Sequence, residues 1–279
     1  MAPLPTNEQL LVLFVAELAQ RLCHSSVRSY LSAVRHMHIA AGWPDPLANS
    51  LRLQLALKGL KRRKPRAKDT RLPITPYILK AIKGSLNSNP YEFNNIMLWA
   101  ACCLAFFAFL RSGELTVPAA NQFDPTWHLT PDDIMVDDRI NPKCLFVRVK
   151  GSKTDQTRQG VTLCVGRTYT ELCPVAAMVA YLSVRKMDHG PLFKLQTGQP
   201  LTRQKLVDLL KEAVKRAGIN AEGYSGHSFR IGAATTAAAN GVGDAVIQTL
   251  GRWSSDSYTR YIRIPQDELA QLSHTLAKD

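Results

Sequence analysis

Apolar residues recur at helical spacing through most of the chain. Behind Asn7, a residue type that caps helix N-termini, Leu10, Leu11, Phe14, Val15 and Leu18 form an i, i+3/i+4 stripe that predicts a first helix. Ser25 or Ser26 opens a second, with Val27, Tyr30, Leu31, Val34 and Met37 on one side and Arg28 and Arg35 on another. Gly42 ends it. A short third helix is expected over residues 51–60. From Pro73 onward the pattern predicts helices over residues 76–84, 94–112, 174–186, 202–217, 228–240 and 244–250, and a C-terminal one. Two runs break it. Residues 144–149 and 161–165 are β-rich and flank a polar loop at 150–160, which reads as a hairpin with a long connection. The expected fold class is mainly α with a small antiparallel β-sheet.

The longest apolar run, residues 96–110, is fifteen residues and is closed by Arg111. That is short for a membrane span, so a buried core helix is expected and no membrane partner. Pro3 and Pro5, followed by the polar Thr6, Asn7 and Glu8, speak against a signal peptide. The six cysteines (Cys23, Cys102, Cys103, Cys144, Cys164, Cys173) show neither CxxC pairing nor zinc-ligand spacing. Free thiols in a reducing compartment are the expectation, and no metal site.

Charge narrows the class of partner. The formal net charge is +13, and residues 1–71 hold twelve Lys and Arg against four Asp and Glu. Such asymmetry points to a polyanion, most often nucleic acid. An anionic membrane is the rival, but no strongly amphipathic basic helix stands alone. From Lys61, Arg62, Arg63 and Lys64 through Arg66 to Arg71, seven of eleven residues are basic. With Pro65 among them they read as a DNA-tracking linker; a solvated surface run and a nuclear-localisation signal have the same composition. The domain boundary is placed near residue 70, giving domains at 1–70 and 71–279.

Four islands in the second domain can carry chemistry. Arg111 ends the apolar run and needs a partner, which Glu114 at i+3 can supply. The hairpin loop runs Lys150, Gly151, Ser152, Lys153, Thr154, Asp155; it lacks the spacing of a nucleotide-binding P-loop, but a lysine at its tip can contact a phosphate or donate a proton. His227 and Arg230 stand at i, i+3 at the start of a helix, where both can aim at one anion. Last, Gly251, Arg252, Trp253, Tyr258, Arg260 and Tyr261 interleave aromatic and cationic groups, as a phosphate site would. Each island alone has a bland structural reading. Asp132, Asp133, Asp137 and Asp138 read as solvated loop, and no carboxylate set for metal-dependent nuclease chemistry is evident.

In this order, over residues 73–265, the islands resemble the tyrosine recombinase (phage integrase) family: arginine with Glu at +3, hairpin lysine, HxxR, His or Trp, tyrosine. The N-terminal segment is similar to the end of that family's helical core-binding (SAM-like) domain and is short for it, so that an opening helix or upstream arm is expected to be missing. Residues 152–160, Gly190 to Phe193, Gly251 to Asp256 and Tyr261 to Arg263 resemble recombinases of eukaryotic DIRS-like retroelements and Cryptons. The resemblance implies catalytic roles for Arg111, Lys153, His227, Arg230, Trp253 and Tyr261, with Lys150 and Tyr258 as alternatives for the lysine and the tyrosine. DNA contacts are expected from Arg28, Arg35, Lys61, Arg62, Arg63, Lys64 and Arg66.

What the resemblance implies is metal- and ATP-independent cutting and rejoining of double-stranded DNA through a 3′-phosphotyrosyl bond, with no cofactor. The arginines would clamp the phosphate oxygens, His227 would take the phenol proton, Lys153 would protonate the departing 5′ oxygen, and Trp253 would donate its indole N–H to a phosphate oxygen. Two helical domains on a basic linker can close round a duplex. A short amphipathic tail at residues 267–276 would dock on a neighbouring protomer, linking a homotetramer on two DNA sites. A nuclear location is expected if the source is eukaryotic, a cytoplasmic one otherwise. The rival functions are a type IB topoisomerase and a domesticated, non-catalytic DNA-binding protein.

Overall fold

The structure, a computed structural model, describes residues 4–63, 69–89, 91–151, 155, 159–186 and 188–263. The chain divides into two compact units, Met1–Asp69 and Thr70–Asp279.

The first unit is three helices: α1 (Glu8–Arg21), α2 (His24–Ala40) and α3 (Leu51–Arg63). Asn7 caps α1 by accepting from the Leu10 N–H at 3.0 Å. Leu11, Val15, Val27, Leu31, Leu53 and Leu60 form the core. Two expectations are corrected. α2 starts at His24 with Cys23 as cap, ahead of the two serines. Lys61, Arg62 and Arg63 are the last turn of α3 rather than linker. Cations at a helix C-terminus meet the negative end of its dipole, so a basic run can extend a helix it looks fit to break. Lys64 and Arg66 lie outside the described residues. Arg28 is exposed, and Arg35 pairs with Asp45 at 2.6 Å.

The second unit contains α4 (Pro76–Leu86), α5 (Phe93–Phe107), α6 (Ser112–Leu115), α7 (Pro174–Arg185), α8 (Arg203–Arg216), α9 (Ser228–Ala239) and α10 (Asp244–Gly251). A three-stranded antiparallel sheet joins them, β1 (Ile134–Val136), β2 (Cys144–Val149) and β3 (Val161–Gly166), in the order β1-β2-β3. Pairing of Val147 with Ile134 on one side and Leu163 on the other sets the register. α5 is the spine: every residue from Met97 to Phe106 except Trp99 is buried, and α7 and α9 pack on it. Mainly α with a small sheet is the fold observed. No helix among the described residues is long and apolar enough to cross a membrane.

Three local corrections shape the site. The helix expected over 94–112 ends at Phe107; Phe109 takes a left-handed conformation (φ 50°), and α6 begins only at Ser112. Apolar periodicity missed the break because Ala108, Phe109 and Leu110 stay buried through it. β1 was not expected, and Asp133 beside it is no solvated loop residue. Its buried carboxylate accepts from the Thr130 N–H at 2.8 Å and pairs with Lys150 at 2.6 Å. Asp137 is exposed, but its carboxylate accepts from the backbone N–H groups of Lys143 and Cys144, at 2.9 Å each. Asp132 and Asp138 are exposed, as a loop requires. The expected C-terminal helix lies outside the described residues.

α9 crosses the segment before α4 at Gly232, where a Cβ would stand 1.8 Å from the Ile74 carbonyl oxygen. Neither backbone can yield, so Gly232→Ala is expected to destabilise the unit by roughly 3 kcal/mol. Gly84 in α4 faces open space, and Gly84→Ala should stabilise by about 0.5–1 kcal/mol. Chemical denaturation of both variants checks the pair; equal effects would contradict the close crossing.

Candidate active site

The short α6 exists because of one carboxylate. Arg111 is its N-cap residue, and Glu114 reaches back to accept the Arg111 backbone N–H at 2.8 Å and its guanidinium at 2.9 Å. The same carboxylate accepts from Arg252 Nη2 at 2.8 Å. The Glu114 side chain is only 5% exposed, so little water competes for it. The pair that read as a mere helix closure therefore also ties α6 to the end of α10.

Arg230, 1% exposed, lies in the first turn of α9. Its Nη1 donates to the Phe109 carbonyl at 2.6 Å and its Nη2 to the Gly251 carbonyl. The left-handed turn at Phe109 is thus part of the cage around this guanidinium. The flat cation lies over the Trp253 ring at 4.1 Å and the Tyr261 ring at 5.7 Å. Burial, then the charges of Arg111 and Arg252, push its pKa down to about 9, while Glu114 and Tyr261 oppose the fall. It stays cationic at neutral pH.

The two candidate tyrosines sit differently. Tyr258 is buried; burial, and next the Asp244 side chain to which it hydrogen-bonds, push its phenol up. Tyr261 is half-buried at the end of a 3-10 turn, Asp256–Arg260, with its ring 5.1 Å from Trp253. Thr235 of α9 holds its backbone by donating to the Tyr261 carbonyl at 3.2 Å. Trp253 is 9% exposed and packs against Phe109, Tyr258 and Tyr261.

Of the residues singled out from sequence, Arg230, Trp253 and Tyr261 meet directly, and Arg111 joins them through Glu114 and Arg252. His227 precedes α9 as its N-cap residue and is exposed, whereas Arg230 is buried. Lys153 lies outside the described residues. The Lys150 ammonium is held by Asp133 and by the Pro125 carbonyl at 2.7 Å. Arg252 was given no role from sequence; its place beside Trp253 in the last island was the available signal. No group of three or more metal-ligating side chains occurs among the described residues.

The fold is that of the solved tyrosine recombinases, a class of enzymes that cleave and rejoin DNA, and the site resembles theirs. The phage integrase family is supported by its model, which matches residues 133–267, and by relatives in sequence and in fold. The chain is 24% identical over 270 residues to an integrase/recombinase XerD homolog of Selenomonas ruminantium, covering 93% of this chain and 74% of that protein. Among solved structures, the Tn1549 transposon integrase in complex with a circular intermediate DNA superposes with a TM-score of 0.61 at 13% identity, over 97% of this chain and 85% of that one. XerH bound to palindromic difH substrate, a post-cleavage complex, gives 0.60 at 14%, over 98% and 70%. A lambda integrase dimer bound to a core site gives 0.57 at 18%, over 94% and 82%.

Removing the shared carboxylate leaves two guanidiniums facing each other. Glu114→Ala is expected to cost about 3 kcal/mol, the low end for a broken buried pair because Arg111 keeps some contact with water. Glu114→Gln, which keeps an acceptor, should cost less. Denaturation midpoints test the order; a neutral Glu114→Ala would refute the hub.

Proposed function

We propose that this chain is a site-specific recombinase that cuts and rejoins duplex DNA through a 3′-phosphotyrosyl bond at Tyr261, without metal or ATP. The observation that carries the reading is the stack of Arg230, Trp253 and Tyr261, with Arg111 linked to it through Glu114. A phosphate beside Tyr261 would lie next to permanent cations in a space poor in water, where charge developing on its oxygens is best stabilised.

The Tyr261 oxygen attacks phosphorus, the 5′ oxygen leaves, and the phosphodiester's energy is kept in the new bond. The exposed His227 is the base for the phenol proton, since a phenol with pKa near ~10 needs one at neutral pH. Lys153 is the acid for the 5′ oxygen. The engagement of Lys150 with Asp133 supports that choice, because an ammonium in a buried ion pair is poorly free to deliver a proton. The half-buried Tyr261 is preferred to Tyr258, whose hydroxyl is turned to Asp244.

The basic first unit supplies non-specific affinity for the duplex, through Arg28, Arg35 and the end of α3. Lambda integrase on its core site is a dimer, which supports action in more than one copy; a tetramer on two sites, linked by the tail after residue 266, follows that reading. The resemblance of residues 152–160, 190–193, 251–256 and 261–263 to DIRS-like and Crypton recombinases is the basis for proposing a mobile-element origin and a nuclear location. A type IB topoisomerase remains the second reading, since it needs the same phosphate clamp and tyrosine.

On nicked suicide duplexes the wild type is expected to form an SDS-stable protein–DNA adduct that Tyr261→Phe abolishes and Tyr258→Phe retains. An undiminished adduct in Tyr261→Phe, or none in the wild type, refutes the assignment. Plasmid relaxation without recombinant products favours the topoisomerase. Duplex affinity should drop on the order of 10³-fold between 50 and 200 mM salt if about six phosphates are contacted; a salt-insensitive affinity would remove the electrostatic basis of binding.

A further inference from the structure

We propose that Arg252, rather than Trp253, contacts the scissile phosphate, as a third guanidinium beside Arg111 and Arg230, and that Trp253 is the platform behind it. The inference rests on the reading of Tyr261 as nucleophile.

Backbone geometry separates the two neighbours. α10 ends at Gly251, and Arg252 takes a left-handed conformation (φ 53°, ψ 49°). Glycine is the usual residue for such a helix end, so an arginine there is held against its own backbone preference. Beyond this turn Trp253 folds back so closely that a Cβ on Gly251 would fall 1.6 Å from its ring. Gly251, Phe109, Arg230, Tyr258 and Tyr261 all press on that ring, and it is nearly inaccessible. Arg252 instead lines a cleft with Gly151, Asp155, Gln159 and Gly160 of the hairpin. That loop also carries Lys153, the candidate acid.

The guanidinium of Arg252 is only partly satisfied. Its Nη2 donates to Glu114 at 2.8 Å and to the Phe109 carbonyl at 3.4 Å, the carbonyl that Arg230 also uses. Its Nε and Nη1 are buried and have no acceptor among the described residues, and the same holds for Arg230 Nε. Buried donors without acceptors are rare in folded proteins and ask for an explanation. Here three such nitrogens belong to two cations that share one carbonyl. An anion with several acceptor oxygens is the kind of partner such donors take, and a phosphodiester has that chemistry. Asp155 also borders the cleft; its oxygens accept from the Gln159 and Gly160 N–H groups at 3.2 and 2.8 Å. Glu114 thus orients a guanidinium on each side, Arg111 and Arg252, while contacting no substrate itself.

The test pairs Arg252→Met with a suicide duplex whose scissile phosphate is a methylphosphonate, in which methyl replaces one charged non-bridging oxygen. On the ordinary phosphodiester, Arg252→Met is expected to lower adduct formation by roughly 10²–10³-fold, as for loss of one preorganised donor. On the methylphosphonate, which has no oxyanion charge to neutralise, the variant should return to within about tenfold of the wild type. Wild-type adduct levels on the phosphodiester, or equal loss on both substrates with an unchanged thermal midpoint, would overturn the proposal. If Arg252→Met does not fold, Arg252→Lys keeps the charge opposite Glu114 and is read in the same way, with a smaller loss and the same rescue. The wild type on the phosphodiester is the control for Tyr261: without an adduct there, the nucleophile assignment falls first.

Discussion

Three guanidiniums gathered where little water reaches repel one another, and in this chain one carboxylate offsets them. Glu114 binds Arg111 within its own turn and Arg252 from the far end of the second unit, while Arg230 is held by backbone carbonyls and an aromatic face. Burial first, and then the neighbouring charges of Arg111 and Arg252, lower the pKa of Arg230. The parts of the site are anchored to the buried core of the second unit. Phe109 follows the buried spine α5, and Gly251 ends a helix that packs on α9.

Two left-handed residues make this geometry. At Phe109 the chain leaves α5 and presents a carbonyl to two arginines; at Arg252 it leaves α10 and separates a cation from an indole. Neither is glycine, so each conformation carries a local cost that the surrounding contacts must exceed. Under the proposed function, this strain would hold the charges in place for a phosphate.

These features explain what was legible in the sequence. Periodicity reports which face of an element is buried, and it located nearly every helix and the β2–β3 hairpin. It is blind where burial continues through a break, as at Ala108 to Leu110, and it cannot find a three-residue strand such as β1. Lys61 to Arg63 misled because charge repulsion was weighed without the helix dipole. The candidate site residues stood out as islands in a fixed order, since residue type and order are one-dimensional. What joins them is not. Nothing in the string tells that Glu114 serves Arg252, 138 positions away, or that Lys150 is spent on Asp133.

Arg252 shows the same limit from the other side. In sequence Trp253 is the more conspicuous residue, because an aromatic beside a phosphate site invites a role for its N–H. Yet adjacent residues at a left-handed turn do not share surroundings, and only one of this pair can pack inward. The indole has the larger apolar surface to bury, so it takes the interior against Gly251 and Phe109. The guanidinium is then left at the cleft, where Glu114 keeps it extended. The hydrophobic effect chooses which neighbour is core, and that choice leaves the cation at the cleft.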